Sequence, residues 1–256
     1  MKSVALNLVM FVCGLGLASI FAISSVGSGQ RKANPTQVQI GIMTERQRVH
    51  SKLFKTYSAG RKLDVPLKEK RPGKEAIEAP EETVYVEPGI NVTSPDVPVL
   101  SFHDFLKDLS CQADAVVIAT AKDGTSQLTE NREFIFTDYV VTVDEVFKNN
   151  SSDFIASNND ITVTRPGGRI QIKTRIVNAL DSSFQPLITG RRYLLFLTYI
   201  PETGSYSSLR KGSFLLQDDD LIALTEEAIP GGSVDPTRVL SDEIRAVLTS
   251  GCDRNK

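Results

Sequence analysis

The sequence predicts a mainly β domain, a small closed barrel with helices packed against its outside, placed behind an N-terminal export segment and a basic linker. Three observations support this. The run Arg191-Arg192-Tyr193-Leu194-Leu195-Phe196-Leu197-Thr198-Tyr199 reads as a strand with both faces apolar. Such a strand must be covered on both sides, and a barrel interior with a helix outside would cover it. Residues 134–147 form a second long strand, in which Tyr139, Val141 and Val143 alternate on one face. The first 26 residues run from a single positive charge, Lys2, through an apolar stretch, to small residues. That is the order of a secretory signal.

The apolar stretch, Val4 to Ile23, is interrupted by Asn7, two glycines and Ser19, and dissolves into Ser24-Ser25-Val26-Gly27-Ser28-Gly29. Two fates follow from it. Ala22-Ile23-Ser24 and Val26-Gly27-Ser28 approximate a small-x-small cleavage pattern, which implies a removed signal peptide. Residues 4–23 also reach the length of about 20 apolar residues that crosses a bilayer, which implies a retained anchor. Cys13 follows Phe11-Val12 rather than small residues, so a lipoprotein signal is not indicated. Residues 1–29 are therefore a signal peptide or membrane anchor, and the mature chain is periplasmic or extracellular, free or held at the membrane.

Charge divides the rest. Residues 31–80 carry twelve Lys/Arg against five Asp/Glu, whereas residues 98–256 carry sixteen against twenty-two. Six prolines from Pro66 to Pro98 punctuate the junction. Residues 30–97 are expected to be a disordered tether, too poor in apolar residues to offset their ordering entropy. Within it, Thr44 to Tyr57 fits a short basic helix with Val49, Leu53 and Phe54 on one side. This segment is either a solvated spacer or a contact for anionic lipid or cell-wall polymer. The acidic globular part, residues 98–256, argues against nucleic acid as a partner, since phosphate binding needs concentrated Lys/Arg.

The globular elements follow in order. Ser101 is an N-cap with Asp104 three residues on, and Phe102, Phe105, Leu106 and Leu109 share one helix face. Ala113 to Ala121 is a continuous small and β-branched run, a buried strand expected to end at the Asp123-Gly124 turn. In the strand 134–147, Val146 breaks the alternation, and a bulge at Asp144-Glu145 would return it to the inner face. Ile161 to Thr164 is a third strand, closed by Pro166-Gly167-Gly168. Ile170, Ile172, Thr174 and Ile176 then alternate with polar residues, indicating one further exposed strand. Phe214-Leu215-Leu216, a turn at Asp218-Asp219-Asp220, and Leu221 to Leu224 read as a hairpin. A C-terminal helix is capped by Asp235, begins at Pro236, carries Leu240, Ile244, Val247 and Leu248, and stops at Gly251.

The segments Ala113-Asp114-Ala115-Val116-Val117, Tyr139 to Lys148 and Gly190 to Leu197 together resemble a netrin-module-like barrel. That is the OB-type architecture of tissue inhibitors of metalloproteinases, found also in exported bacterial proteins of unassigned role. The resemblance covers residues 100–224. It implies a small five-stranded OB-type closed barrel with an N-terminal and a C-terminal helix. It carries no activity across: those inhibitors chelate the protease zinc through a cysteine at the mature N-terminus, and this chain has none near Gly29-Gln30.

Chemistry-bearing residues are few. With the signal set aside only Cys111 and Cys252 remain, each at the end of a predicted helix. In an oxidising compartment the natural pairing is a Cys111–Cys252 bridge, which would contribute about 4–5 kcal/mol for so long a loop; otherwise both are free thiols. Two histidines, His50 in the tether and His103 on the first helix, are too few for a zinc site. His103 is expected to face solvent. A Ser-His-Asp hydrolase would need it as base, and no Gly-x-Ser-x-Gly elbow supports that. Asp218-Asp219-Asp220 lacks calcium-loop spacing, and neither Pro166-Gly167-Gly168 nor Pro230-Gly231-Gly232 has phosphate-loop spacing. Asn91-Val92-Thr93 and Asn150-Ser151-Ser152 match glycosylation acceptors. No cofactor, metal or catalytic residue is assigned.

The sequence thus points to an exported, non-enzymatic binding module of the cell envelope or exterior, partnered by a protein or envelope component. Its expected contact loops are Gly124 to Arg132 and Asn150 to Asp160. Two alternatives stay open: a protease-inhibitor-like domain, and a hydrolase using carboxylates such as Asp138, Asp144 and Glu145.

Overall fold

A computed structural model describes residues 36–37, 43–65, 68–69, 77–78, 81–85, 101–217, 220–223 and 245–248. The elements run β1 (Thr36–Gln37), α1 (Glu45–Leu53), β2 (Lys68–Glu69), β3 (Ile77–Glu78), β4 (Glu81–Tyr85), α2 (Phe102–Gln112), β5 (Ala115–Leu128), β6 (Ile135–Asn149), β7 (Asp160–Pro166), β8 (Gly168–Ile172), β9 (Arg175–Leu180), β10 (Arg192–Ile200), β11 (Ser205–Gln217) and β12 (Asp220–Ala223). Five strands close on themselves in the order β5-β6-β7-β11-β10-β5, with β7 and β11 parallel and the other neighbours antiparallel. This is the five-stranded OB-type barrel expected.

The interior is made by every second residue of these strands, among them Ala115, Val117, Ala119, Val141, Val143, Val163, Leu195 and Leu197. The intervening residues Val116, Ile118, Leu194 and Phe196 face outward and are buried with Leu106 and Leu109 of α2 and Val247 and Leu248 of the C-terminal helical turn at residues 245–248. Both faces of β10 are covered, as its composition requires. The expected cap is in place: the Ser101 hydroxyl accepts from the Asp104 amide at 3.1 Å. The expected bulge is also there, since Asp144 is skipped between Glu145, opposite Ile118, and Val143, opposite Ala119. Val146 is thereby returned to the interior cluster. Asp235 and Pro236 lie outside the described residues.

Two strand boundaries differ from expectation. The first strand does not end at Asp123-Gly124; β5 continues to Leu128 in register with β6. Gly124 serves close approach rather than a turn. A Cβ there would stand 2.9 Å from the ring of Tyr139, its partner across the ladder. The alternating run after Gly168 is a hairpin, β8–β9, turning at Lys173 with φ 55°. It is not exposed on both sides: Ile170, Ile172, Val177 and Ala179 are buried.

What covers that hairpin is the segment expected to be a disordered tether, and this expectation fails for its described parts. Phe54, Tyr57 and Leu63 are buried in one cluster with Phe134, Phe136, Ile170 and Val177. Phe54 stacks on Phe136 with ring centroids 5.5 Å apart, and Tyr57 on Phe134 at 4.7 Å. The Ala59 and Leu63 amides donate to the carbonyls of Glu133 and Arg132. β1 and β4 extend the hairpin into a four-stranded sheet, pairing parallel to β8 and β9. Glu82 of β4 pairs with Arg61 and with buried Arg175, which also donates to the Leu63 carbonyl at 2.6 Å. Three large apolar side chains, Phe54, Tyr57 and Leu63, thus anchor an otherwise polar segment on the Phe134–Phe136 surface.

The expected test of this arrangement is Phe54→Ala. Loss of a buried, stacked ring costs about 3–5 kcal/mol. The urea midpoint of the whole barrel should therefore fall, in a single transition. An unchanged midpoint would mean that the segment is only draped on the surface.

Candidate functional site

Two constellations stand out, and α1 takes part in both. α1 is begun by a capping box: Gln47 N donates to Thr44 Oγ1 at 3.3 Å, and Thr44 N to Gln47 Oε1 at 2.8 Å. The helix presents a stripe of His50 and Ser51, continued by Phe54 and Tyr57, to the barrel. The side expected from sequence was different; Leu53 is 43% exposed.

His50 is wholly buried. Its Nδ1 lies 2.8 Å from Asp138 Oδ1, and its Nε2 lies 2.8 Å from Ser205 Oγ and 3.1 Å from Thr203 Oγ1. Gln127 Nε2 donates to the other Asp138 oxygen at 3.0 Å. The Asp138 carboxylate can only accept, so Nδ1 carries a proton. In the neutral ring Nε2 is then left to accept from a hydroxyl. Serine, histidine and aspartate in series are the parts of an acyl-transfer triad. Here Ser205 is 0% exposed and its hydroxyl also meets Thr203 Oγ1 at 2.6 Å. A nucleophile needs a place for a reacting atom about 3 Å from it, and this hydroxyl is enclosed. The geometry fits a fastening of α1 to β6 and β11.

The second constellation is a cavity of about 430 Å³ between the end of α1 and the barrel edge. Leu53, Phe54, Tyr57, Phe184 and Ile200 contribute apolar wall, while Glu202 and Arg210 bring charges of opposite sign. Behind it lies Arg165. β7 places Ile161, Val163 and Arg165 on one face, so the guanidinium is carried into the barrel end and is 2% exposed. It lies 5.5 Å from the Phe184 ring centroid, and its Nε and Nη1 make no hydrogen bond. Burial holds its pKa down to about 10. Asp181, also buried, has one carboxylate oxygen without a partner. Burial, followed by the nearby Asp181 charge, pushes Tyr57 well above the ordinary tyrosine range. Arg210 Nε donates to Ser183 Oγ at 2.9 Å.

The residues singled out from sequence are distributed otherwise. Asp138 meets His50, but Asp144 lies six residues farther along β6, about 20 Å by strand rise. Asp144 pairs with Arg192 at 3.1 Å, and Glu145 with Arg245. The three carboxylates do not form one cluster. His103 is exposed, as expected. Cys111 sits in the last turn of α2, while Cys252, Asp218 and Asp219 lie outside the described residues. The stretch Gly124–Arg132 is mostly strand, with Gln127, Leu128 and Thr129 buried and Thr125, Glu130, Asn131 and Arg132 exposed. Asn150 to Asn159 is a connection, with Phe154 81% exposed. Among the described residues no group of His, Cys, Asp and Glu is placed to hold a metal ion, and no helix is long and apolar enough to cross a membrane. Sequence reasoning missed His50, Ser205 and Arg165. The signal for Arg165 was present, since strand parity puts it on the face of Ile161 and Val163. No family model matches this chain, and no curated protein matches it.

Two outcomes check this description. His50→Ala strips Asp138 of its buried partner and should destabilise the fold by about 3 kcal/mol. A serine-directed phosphonate should leave Ser205 unlabelled in the folded protein. Separately, Tyr57, Tyr139, Tyr193 and Tyr206 all have raised pKa values, in each case chiefly through burial. Their folded values exceed the unfolded one, so the stability they contribute is present below about pH 10 and is lost as pH rises beyond it. The phenolate absorbance of these four tyrosines should appear together with alkaline unfolding, above the pH at which the urea-unfolded chain titrates.

Proposed function

We propose that this chain is an exported, non-enzymatic binding module of the cell envelope or exterior, of the netrin-module kind, that takes a small ligand in the cleft between α1 and the β10–β11 edge. The observation that carries the reading is the cleft itself, with apolar walls and a few charged groups, the usual make-up of a ligand site. The netrin-like assignment rests on the segments quoted above and on the strand order of the barrel. Residues 1–29 act as signal or anchor. Exposed Lys52 and Lys55 beside the cleft support a contact of the basic segment with anionic envelope polymer or lipid. A Cys111–Cys252 bridge is part of the proposal, supported by the shared cluster of α2 and residues 247–248.

Two measurements test it. Intact mass of the native protein should lack the signal and rise by two hydrogens on reduction; a full-length mass would replace the soluble product by an anchored one, and an unchanged mass on reduction would remove the bridge. Amide NMR of the ¹⁵N-labelled protein against a fragment library should shift Phe184, Glu202 and Arg210 together. Shifts confined to other surfaces, or none, would overturn the cleft as the site.

A further inference from the structure

We infer that the cleft takes a zwitterion with an apolar body, such as a free apolar α-amino acid, its carboxylate on Arg210 and its ammonium on Glu202. This rests on the cleft being a ligand site. The charges lining it decide the class. Arg210 has its Nε engaged by Ser183, and neither its Nη groups nor the Glu202 carboxylate has an ion pair among the described residues. Both residues are exposed, so these groups are open to solvent or ligand.

The layer behind the wall repeats the pattern. Arg165 and Asp181 are buried, opposite in sign, and each keeps polar atoms without a hydrogen bond. Such groups are costly to bury. Both are coupled to the cleft: Phe184 lies against the Arg165 guanidinium and lines the cavity, and Tyr57, whose hydroxyl feels the Asp181 charge, lines it too. Arg210 and Glu202 bring opposite charges to one cavity, so a ligand with a single charge leaves one of them unmatched. A ligand carrying both signs on an apolar body is matched at each end, and Leu53, Phe184 and Ile200 receive the body.

The test is calorimetric titration of the native chain with L-leucine and L-phenylalanine, alongside N-acetyl-L-leucine and L-leucinamide, with thermal melts to verify folding. The free amino acids should bind, and masking either charged end should weaken affinity about tenfold or more. Arg210→Gln and Glu202→Gln should each lower it by a similar factor with the melt unchanged, and Arg210→Lys should recover part of it. N-acetyl-leucine binding as well as leucine would overturn the inference in favour of a simple carboxylate. Amino acids failing to bind while library fragments still shift Phe184 and Arg210 would overturn it and leave the cleft reading standing; no fragment shifting them would remove both.

Discussion

Phe134, just before β6, and Phe136 within it lie outside the barrel's interior cluster, and the rings of Tyr57 and Phe54 stacked on them help remove that surface from water. Most of the N-terminal architecture follows from this contact. Once Phe54 and Tyr57 are seated, the next residues can bond the Arg132 and Glu133 carbonyls, and Leu63 reaches the β8–β9 hairpin. Arg175 then has a buried carbonyl to donate to and Glu82 to pair with, which holds β4 on the sheet edge. Without the aromatic stack, a helix whose own buried residues are His50 and Ser51 would have little apolar surface to dock with.

The buried polar groups divide by how completely they are satisfied. His50 has a partner on each nitrogen, with Asp138 held in turn by Gln127, and such a network rigidifies what it joins. Arg165 and Asp181 are the opposite case, since each retains unbonded polar atoms in a buried setting. Fully bonded groups serve the fold, while incompletely bonded ones beside a cavity are where a binding role is to be sought. The distinction places His50, Asp138 and Ser205 with the architecture despite their triad-like order.

Much of the barrel was legible in the sequence because its signals are local. The two-faced apolar run of β10, the alternation of β6 and the Asp144 bulge all lie within single strands, and the Ser101 cap within one helix turn. The hairpin β8–β9 was half legible: its alternation was clear, but its burial depends on Leu63 and Phe134, far away in sequence. The N-terminal segment was misread because composition is an average. Its many Lys and Arg residues conceal Phe54, Tyr57 and Leu63, whose burial is decided by surfaces on β6 and β8. Gly124 was misread for a related reason, since a glycine demanded by a neighbouring ring looks the same as one demanded by a turn. The cleft itself left no sequence trace, because its walls come from α1, the loop after β9 and the β10–β11 edge.

The hydrogen bond between His50 and Ser205 joins residues 155 positions apart, and this separation sets an order of events. The helix that carries His50 emerges from the ribosome well before β11, the strand that accepts it. Until β11 is in place, His50 lacks its partner Ser205, and sheet topologies dominated by such distant contacts fold slowly. During that interval the chain exposes aromatic residues and unpaired strand edges, the features that make incomplete folds self-associate.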